Sequence, residues 1–265
     1  MLYTFFGGKD GAEPGTLRWD AAMGNLYGAT AYGGGTAKEC PQQANGFTGC
    51  GTVFKLDSNN EETILHSFTG GTEGRFPGLG LRDTAGNLYG TTGEGGSMGC
   101  GVVFKLSNNG KETVLYSFAG QPDGSGPNSG LVRDAAGNFY GTTMAGGAYD
   151  RGTVFKLDKT GKETVLYSFA GQPDGSGPTS GLVRDAAGNL YGTTSLGGTP
   201  KNNGTVFKLD TSGKETVLHT FCLNGPPCSD GRFPQGLFQD GAGNLYGVAF
   251  RGGISDYGTV FKLTP

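Results

Sequence analysis

The sequence predicts an all-β protein, a five-bladed β-propeller of four-stranded blades, and three observations carry that reading. Glycine supplies 54 of 265 residues, about one in five, against an ordinary share of roughly 7%. The strings GN(L/F)YG and VFKL each occur five times, with the VFKL phenylalanines at Phe54, Phe104, Phe155, Phe207 and Phe261, spaced by 50, 51, 52 and 54 residues. Each period holds four short β-type runs separated by turn signals. Four strands at a period of about 40–50 residues is the pattern of propeller blades.

One complete unit, Gly130 to Phe169, justifies the elements in order. It reads GLVRD, AAG, NFYGTT, a glycine-rich loop, GTVFKLD, KTG and KETVLYSF. Asp134 to Asn138 is a tight hairpin, because an Asp side chain accepts nearby backbone N–H groups and Gly137 tolerates positive φ. Lys159-Thr160-Gly161 closes a second hairpin by the same logic. Val154, Phe155, Val165 and Leu166 are β formers suited to a pleated, packed surface. The recurring tyrosines Tyr27, Tyr89, Tyr140, Tyr191 and Tyr246 read as blade-packing aromatics, and the VFKL phenylalanines as the filling between blades.

The chain opens with LYTF, the fourth-strand string, and closes with Gly258-Thr259-Val260-Phe261-Lys262-Leu263, the third-strand string. The expectation is a ring closed by pairing residues 1–6 with the last strand, which removes two free edges. The units then form a single domain over 1–265, with blades at about 14–68, 77–118, 127–169, 178–221, and 234–265 plus 1–6. Met23 lengthens the first hairpin by a residue.

Composition excludes several function classes. So much glycine without a three-residue period is not collagen, and regular aromatic and β-branched runs are not disorder. A net charge of −3 with no lysine or arginine run argues against a grip on nucleic acid. No apolar stretch approaches the roughly 18 residues of a membrane span, and the first residues carry no export signal.

The order DG…P…GL…D…GNLYGTT…GG…GTVFKL…ETVLYSF resembles the GloVer-type tandem repeats of bacterial surface proteins, and the units are also similar to NHL-type propeller units. The resemblance covers nearly the whole chain. It implies secretion or surface display, and it carries over no catalytic residue. In an NHL-like threading GLVRD is the innermost strand and ETVLYSF the outermost. The glycine loops and the DG-containing linkers then share one face.

Function belongs on those loops, since loops held by a rigid scaffold are where binding residues concentrate. Positions that differ between units are the candidates for ligand contact: Tyr32, Glu94, Met144, Leu196 and Arg251, then Tyr149, Asp150, Arg151, Asp256 and Tyr257. Trp19 stands where other units have arginine or glutamine. The linker acids Asp10, Glu73, Asp123, Asp174 and Asp230 form a ring able to hold sugar hydroxyls or a cation, or else fix the crossover between blades as Asp-Gly turns. Asp123, Asp174 and Asp230 join Tyr32, Glu94, Tyr149, Arg151, Arg251 and Tyr257 as the ligand-binding set.

No catalytic residue and no metal ligand is assigned. DGSG is a weak match to a calcium loop, so calcium is the one cofactor considered. His66 and His219 stand where other units have Tyr3, Tyr116 and Tyr167, and a position that accepts tyrosine does not require an imidazole. Of five cysteines, Cys40–Cys50 and Cys222–Cys228 are expected as short loop-closing disulfides of an oxidising compartment, with Cys100 left as a buried thiol.

The resulting expectation is a secreted or surface-displayed, non-catalytic interaction module. Its partner is an extracellular polysaccharide or surface glycan, bound multivalently. A carbohydrate-active enzyme and a self-assembling surface subunit are the two other classes. A pocket with two differentiated carboxylates favours the enzyme, and a large lateral apolar patch favours assembly.

Overall fold

The computed structural model describes residues 1–35, 40, 46–127, 129–198 and 201–265. It is all-β among these residues, five blades on a four-stranded plan that make a β-propeller. The first blade runs Ala12–Asp20, Asn25–Tyr32, Thr52–Leu56, Glu62–Ser67, and the second Arg75–Arg82, Leu88–Glu94, Val102–Leu106, Glu112–Ser117. The third uses Val132–Arg133, Phe139–Thr143, Thr153–Leu157 and Glu163–Ser168. The fourth uses an inner strand in two pieces, Ser176–Pro178 and Val183–Arg184, then Leu190–Leu196, Thr205–Leu209 and Glu215–Thr220. The fifth holds Arg232–Gln239, Leu245–Arg251 and Thr259–Leu263.

The chain forms two compact units, Met1–Ala119 with Ser125–Leu131, and Gly120–Gly124 with Val132–Pro265. Blades one and two lie in the first unit, and blades three to five in the second.

Within each unit the phenylalanines pack as their repetition predicts. The phenylalanine ending each L(Y/H)(S/T)F string meets the next VFKL ring edge to face, at 5.1 Å for Phe68–Phe104, Phe169–Phe207 and Phe221–Phe261. Such T-shaped pairs add to simple burial. The threonines of GTT are buried but satisfied. Thr143 and Thr194 bond Thr153 and Thr205 of the adjacent strand at 2.8 Å.

The strand-end aspartates cap the hairpins. Asp185 accepts the Asn189 amide at 2.8 Å, its side-chain nitrogen at 2.7 Å and the Tyr191 hydroxyl at 3.0 Å. Asp83, Asp134 and Asp240 repeat the pattern. The recurring tyrosines are therefore more than packing residues: each of these four hydroxyls ties a second strand to the cap. The first blade departs from the pattern, because the extra Met23 separates the partners, and Asp20 pairs with Arg82 at 2.6 Å instead.

Burial pushes the Asp185 carboxyl up, but the bonds from Asn189 and Tyr191 outweigh it and hold the group below the usual carboxylate range. A depressed carboxylate stabilises the fold above its unfolded pKa, and that contribution is lost as pH falls through the folded value. Asp185→Ala is expected to cost about 1 kcal/mol at neutral pH, with the deficit shrinking in acid. Urea melts at neutral and acidic pH measure it, and an equal deficit at both excludes the charged cap.

The fifth blade differs from expectation. Its sheet has three strands, and residues 1–6 carry no strand pairing. Their side chains hold them in the first unit instead. Phe5 meets Phe54 at 5.0 Å, and the Tyr3 hydroxyl donates to Glu62 at 3.0 Å. LYTF thus keeps the ring contact of a fourth-strand string without its backbone ladder. On the fifth blade Val260 is 81% exposed, whereas Val53, Val103, Val154 and Val206 at the same place in their strands are 0% exposed.

Both expected disulfides are present, Cys40–Cys50 and Cys222–Cys228. Cys100 is free, but it is half-buried rather than buried, its thiol facing the Met98 carbonyl at 3.6 Å in an exposed turn.

Candidate functional site

The loop residues singled out by sequence gather into three groups. In the first unit, Glu94 pairs with the Arg75 guanidinium, which lies 5.2 Å over the Phe76 ring. Tyr32 stacks on Phe47 and meets Phe76 edge to face, both at 5.5 Å. Tyr32 and Glu94 therefore flank one Arg–Phe element.

The second unit repeats that construction in the fifth blade. Arg232 pairs with Asp256 at 2.7 Å and lies 5.5 Å over Phe233. Arg251 lies 5.4 Å over Phe250 and adds its charge beside Asp256. Phe250 is 60% exposed and Tyr257 88%. The shared sequence is Gly-Arg-Phe-Pro, at Gly74–Pro77 and Gly231–Pro234. Phe76 and Phe233 hold φ of 59° and 58°, a left-handed backbone that the third and fourth blades give to Gly126 and Gly177. Bulky residues rarely sit there, and such strain concentrates at functional sites. The recurrence of Arg-Phe-Pro in only two units was visible in the sequence but was not read as a site.

The third group surrounds Asp174. Tyr167 donates to Asp174 at 2.7 Å, and the Ala170 amide does so at 2.9 Å. Burial, then the bond to Asp174 and the charges of Asp174 and Glu215, raise Tyr167, with Tyr149 adding to the shift. Tyr149 is exposed, and the Arg151 side chain runs over Gly171. Sequence-predicted Tyr149, Arg151 and Asp174 thus meet in one place, beside Glu215, which sequence reasoning passed over.

The linker acids are largely committed to their own loops. Glu73 accepts the Thr69 amide and hydroxyl at 2.8 and 2.7 Å, and Asp10 accepts the Phe6 amide at 2.7 Å. Asp123 contributes its carbonyl to Gly147 at 2.6 Å. The histidines replace tyrosines for a simple reason: either group reaches the linker acid. His66 Nε2 lies 2.7 Å from Glu73, and His219 Nε2 3.0 Å from Asp230. A cavity of about 520 Å³ opens beside His219 and Asp230, walled by Leu218, Leu223 and the Cys222–Cys228 loop. Among the described residues, no cluster of three or more His, Cys, Asp or Glu could hold a metal ion.

Comparison with known proteins agrees with the architecture. The chain is similar in structure to virginiamycin B lyase from Staphylococcus aureus, with a TM-score of 0.58 at 14% identity over 96% of this chain and 71% of that one. It is similar to the gluconolactonase XC5397 from Xanthomonas campestris, with a TM-score of 0.57 at 16% identity over 95% and 73%. It is also similar to a luciferin-regenerating enzyme, with a TM-score of 0.55 at 14% identity over 96% and 92%. At such identities the likeness is one of fold. No curated protein matches the sequence. The Gloeobacter/Verrucomicrobia repeat matches residues 41–261, so the chain belongs to that repeat family.

Proposed function

We propose that the chain is an extracellular, non-catalytic module that binds polysaccharide through its glycine loops. The observation that carries the reading is the duplicated Arg–Phe–acid element, Arg75–Phe76–Glu94 and Arg232–Phe233–Asp256. An exposed guanidinium–carboxylate pair offers donors and acceptors to adjacent sugar hydroxyls, and the exposed rings Tyr149, Phe250 and Tyr257 offer apolar faces to the sugar ring. Two disulfides fit an oxidising compartment.

One shallow contact of this kind is weak, about −4 kcal/mol or millimolar. Two elements reaching the same polymer raise the apparent affinity by roughly 10²–10⁴ without any new contact. Affinity electrophoresis over a polysaccharide panel should therefore show strong retardation by a polymer and none competed by its monosaccharide. Arg75→Ala and Arg232→Ala should each weaken retardation, and the double variant should abolish it. Stability should hardly change, because exposed ion pairs contribute about 0–1 kcal/mol.

The cavity at His219 and Asp230 favours the enzyme as a second reading. Reducing-end and unsaturated-product assays on the same panel separate the two. Sugar products lost on His219→Tyr would replace binding by catalysis. No retardation by any glycan would end the proposal.

A further inference from the structure

The loop acids and the strand-opening glutamates come together in pairs. Glu62, Glu112, Glu163 and Glu215 each begin an outermost strand, at the same place in four blades. Each faces a linker acid: Asp10 acts on Glu62, Glu73 on Glu112, Asp123 on Glu163 and Asp174 on Glu215. In every one of these glutamates Oε1 is buried without a hydrogen-bond partner. Asp174 is only 6% exposed, and its Oδ1 is also buried and unpartnered.

Two carboxylates placed this way cannot both stay ionised cheaply. Each has an inner oxygen without a donor, and each repels the other. One proton corrects both faults, since it neutralises one acid and provides the O–H that the opposing oxygen accepts. A hydrated ion fits poorly, because the inner oxygens are closed to water.

We propose that Asp10–Glu62, Glu73–Glu112, Asp123–Glu163 and Asp174–Glu215 each hold one shared proton in the folded protein, which couples blade packing to acidity. The proposal is independent of the polysaccharide reading.

The electrostatics agree. Burial, reinforced by the linker acid, pushes Glu163 and Glu215 up to about 7. Burial and Glu73 push Glu112 up to about 7 against the opposing influence of His66. Burial raises Glu62, with the Tyr3 bond opposing and Asp10 assisting. Around Asp174 and Glu215 the remaining titratable neighbours are Tyr167 and Tyr149. A carboxyl raised in the folded state stabilises the fold fully below its unfolded pKa, near 4.3, and that contribution is lost as pH rises through the folded value. The fold therefore loosens between about pH 4.5 and pH 7.

Thermal melts of the parent and of Glu163→Gln/Glu215→Gln, from about pH 5 to pH 8, test this. The parent should melt at falling temperature as pH rises. The double variant, with a permanent N–H donor facing each linker acid, should lose roughly half of that slope and melt above the parent at the alkaline end. His66 and His219 are unchanged in both proteins, so their titration cancels. A flat parent profile, or a variant with the full slope, overturns the proposal. Millimolar calcium that raises the melting temperature of the parent but not of the variant also overturns it, in favour of a cation. Should the variant fail to fold, carbon-13 titration of the parent glutamates decides. Three glutamate midpoints near 7 support the shared protons, and ordinary midpoints throughout exclude them.

Discussion

Phe207→Ala is expected to lower stability by about 3–5 kcal/mol, enough to unfold much of a marginal domain. Phe207 is 0% exposed and packs edge to face on Phe169 at 5.1 Å. Truncation removes the ring's transfer energy and leaves a cavity between two rigid sheets that cannot close over it. The fifth blade provides an internal control. Phe261 makes the same contact with Phe221, also at 5.1 Å, but it is partly exposed, and its strand neighbour Val260 lies open. Phe261→Ala should therefore cost clearly less than Phe207→Ala. Urea denaturation followed by far-ultraviolet circular dichroism measures both. Equal losses would mean that the exposed face of the fifth blade is closed in solution, and a Phe207→Ala midpoint like the parent's would remove the blade-interface argument.

The sequence revealed what repeats identically and hid what depends on pairs. Phe54, Phe104, Phe155, Phe207 and Phe261 announced themselves as filling, because a residue required in every blade recurs in every blade. The hairpin aspartates were legible for the same reason, although their bonds to Tyr89, Tyr140, Tyr191 and Tyr246 were not. Those bonds join residues six apart, and only the hairpin geometry brings them together. Glu62, Glu112, Glu163 and Glu215 read as ordinary strand-opening residues. Their significance arises from linker acids some 39 to 52 residues earlier in the chain, a separation that local pattern reading does not span. Tyr149, Arg151 and Asp174 were chosen one by one, and the loop face gathers them. Residues 1–6 show the converse limit. A string match carried the ring contact of Phe5 on Phe54, but not the backbone ladder that usually accompanies it.

Gly192→Ala is expected to destabilise by about 1–3 kcal/mol, and Phe207 should be the cause. Glycine at this position is not there for its backbone freedom. A Cβ on Gly192 would lie 2.5 Å from Phe207 Cζ and 3.0 Å from Leu182 Cδ2, well inside contact distance. The phenylalanine of VFKL lies across the glycine that ends GN(L/F)YG, and Gly28, Gly90 and Gly247 carry the same conflict with Phe54, Phe104 and Phe261. The motif is thus a matched pair, a missing side chain on one strand that makes room for a large one on the next. A double-mutant cycle isolates that coupling. Phe207→Leu alone loses buried surface, but it withdraws the far end of the ring. In that background Gly192→Ala should become nearly neutral, giving an interaction energy of about 1–2 kcal/mol by chemical denaturation. Additive losses would show that the alanine is rejected by the backbone or by Leu182 rather than by the ring. Restored stability on adding Leu182→Ala alone would assign the conflict to Leu182.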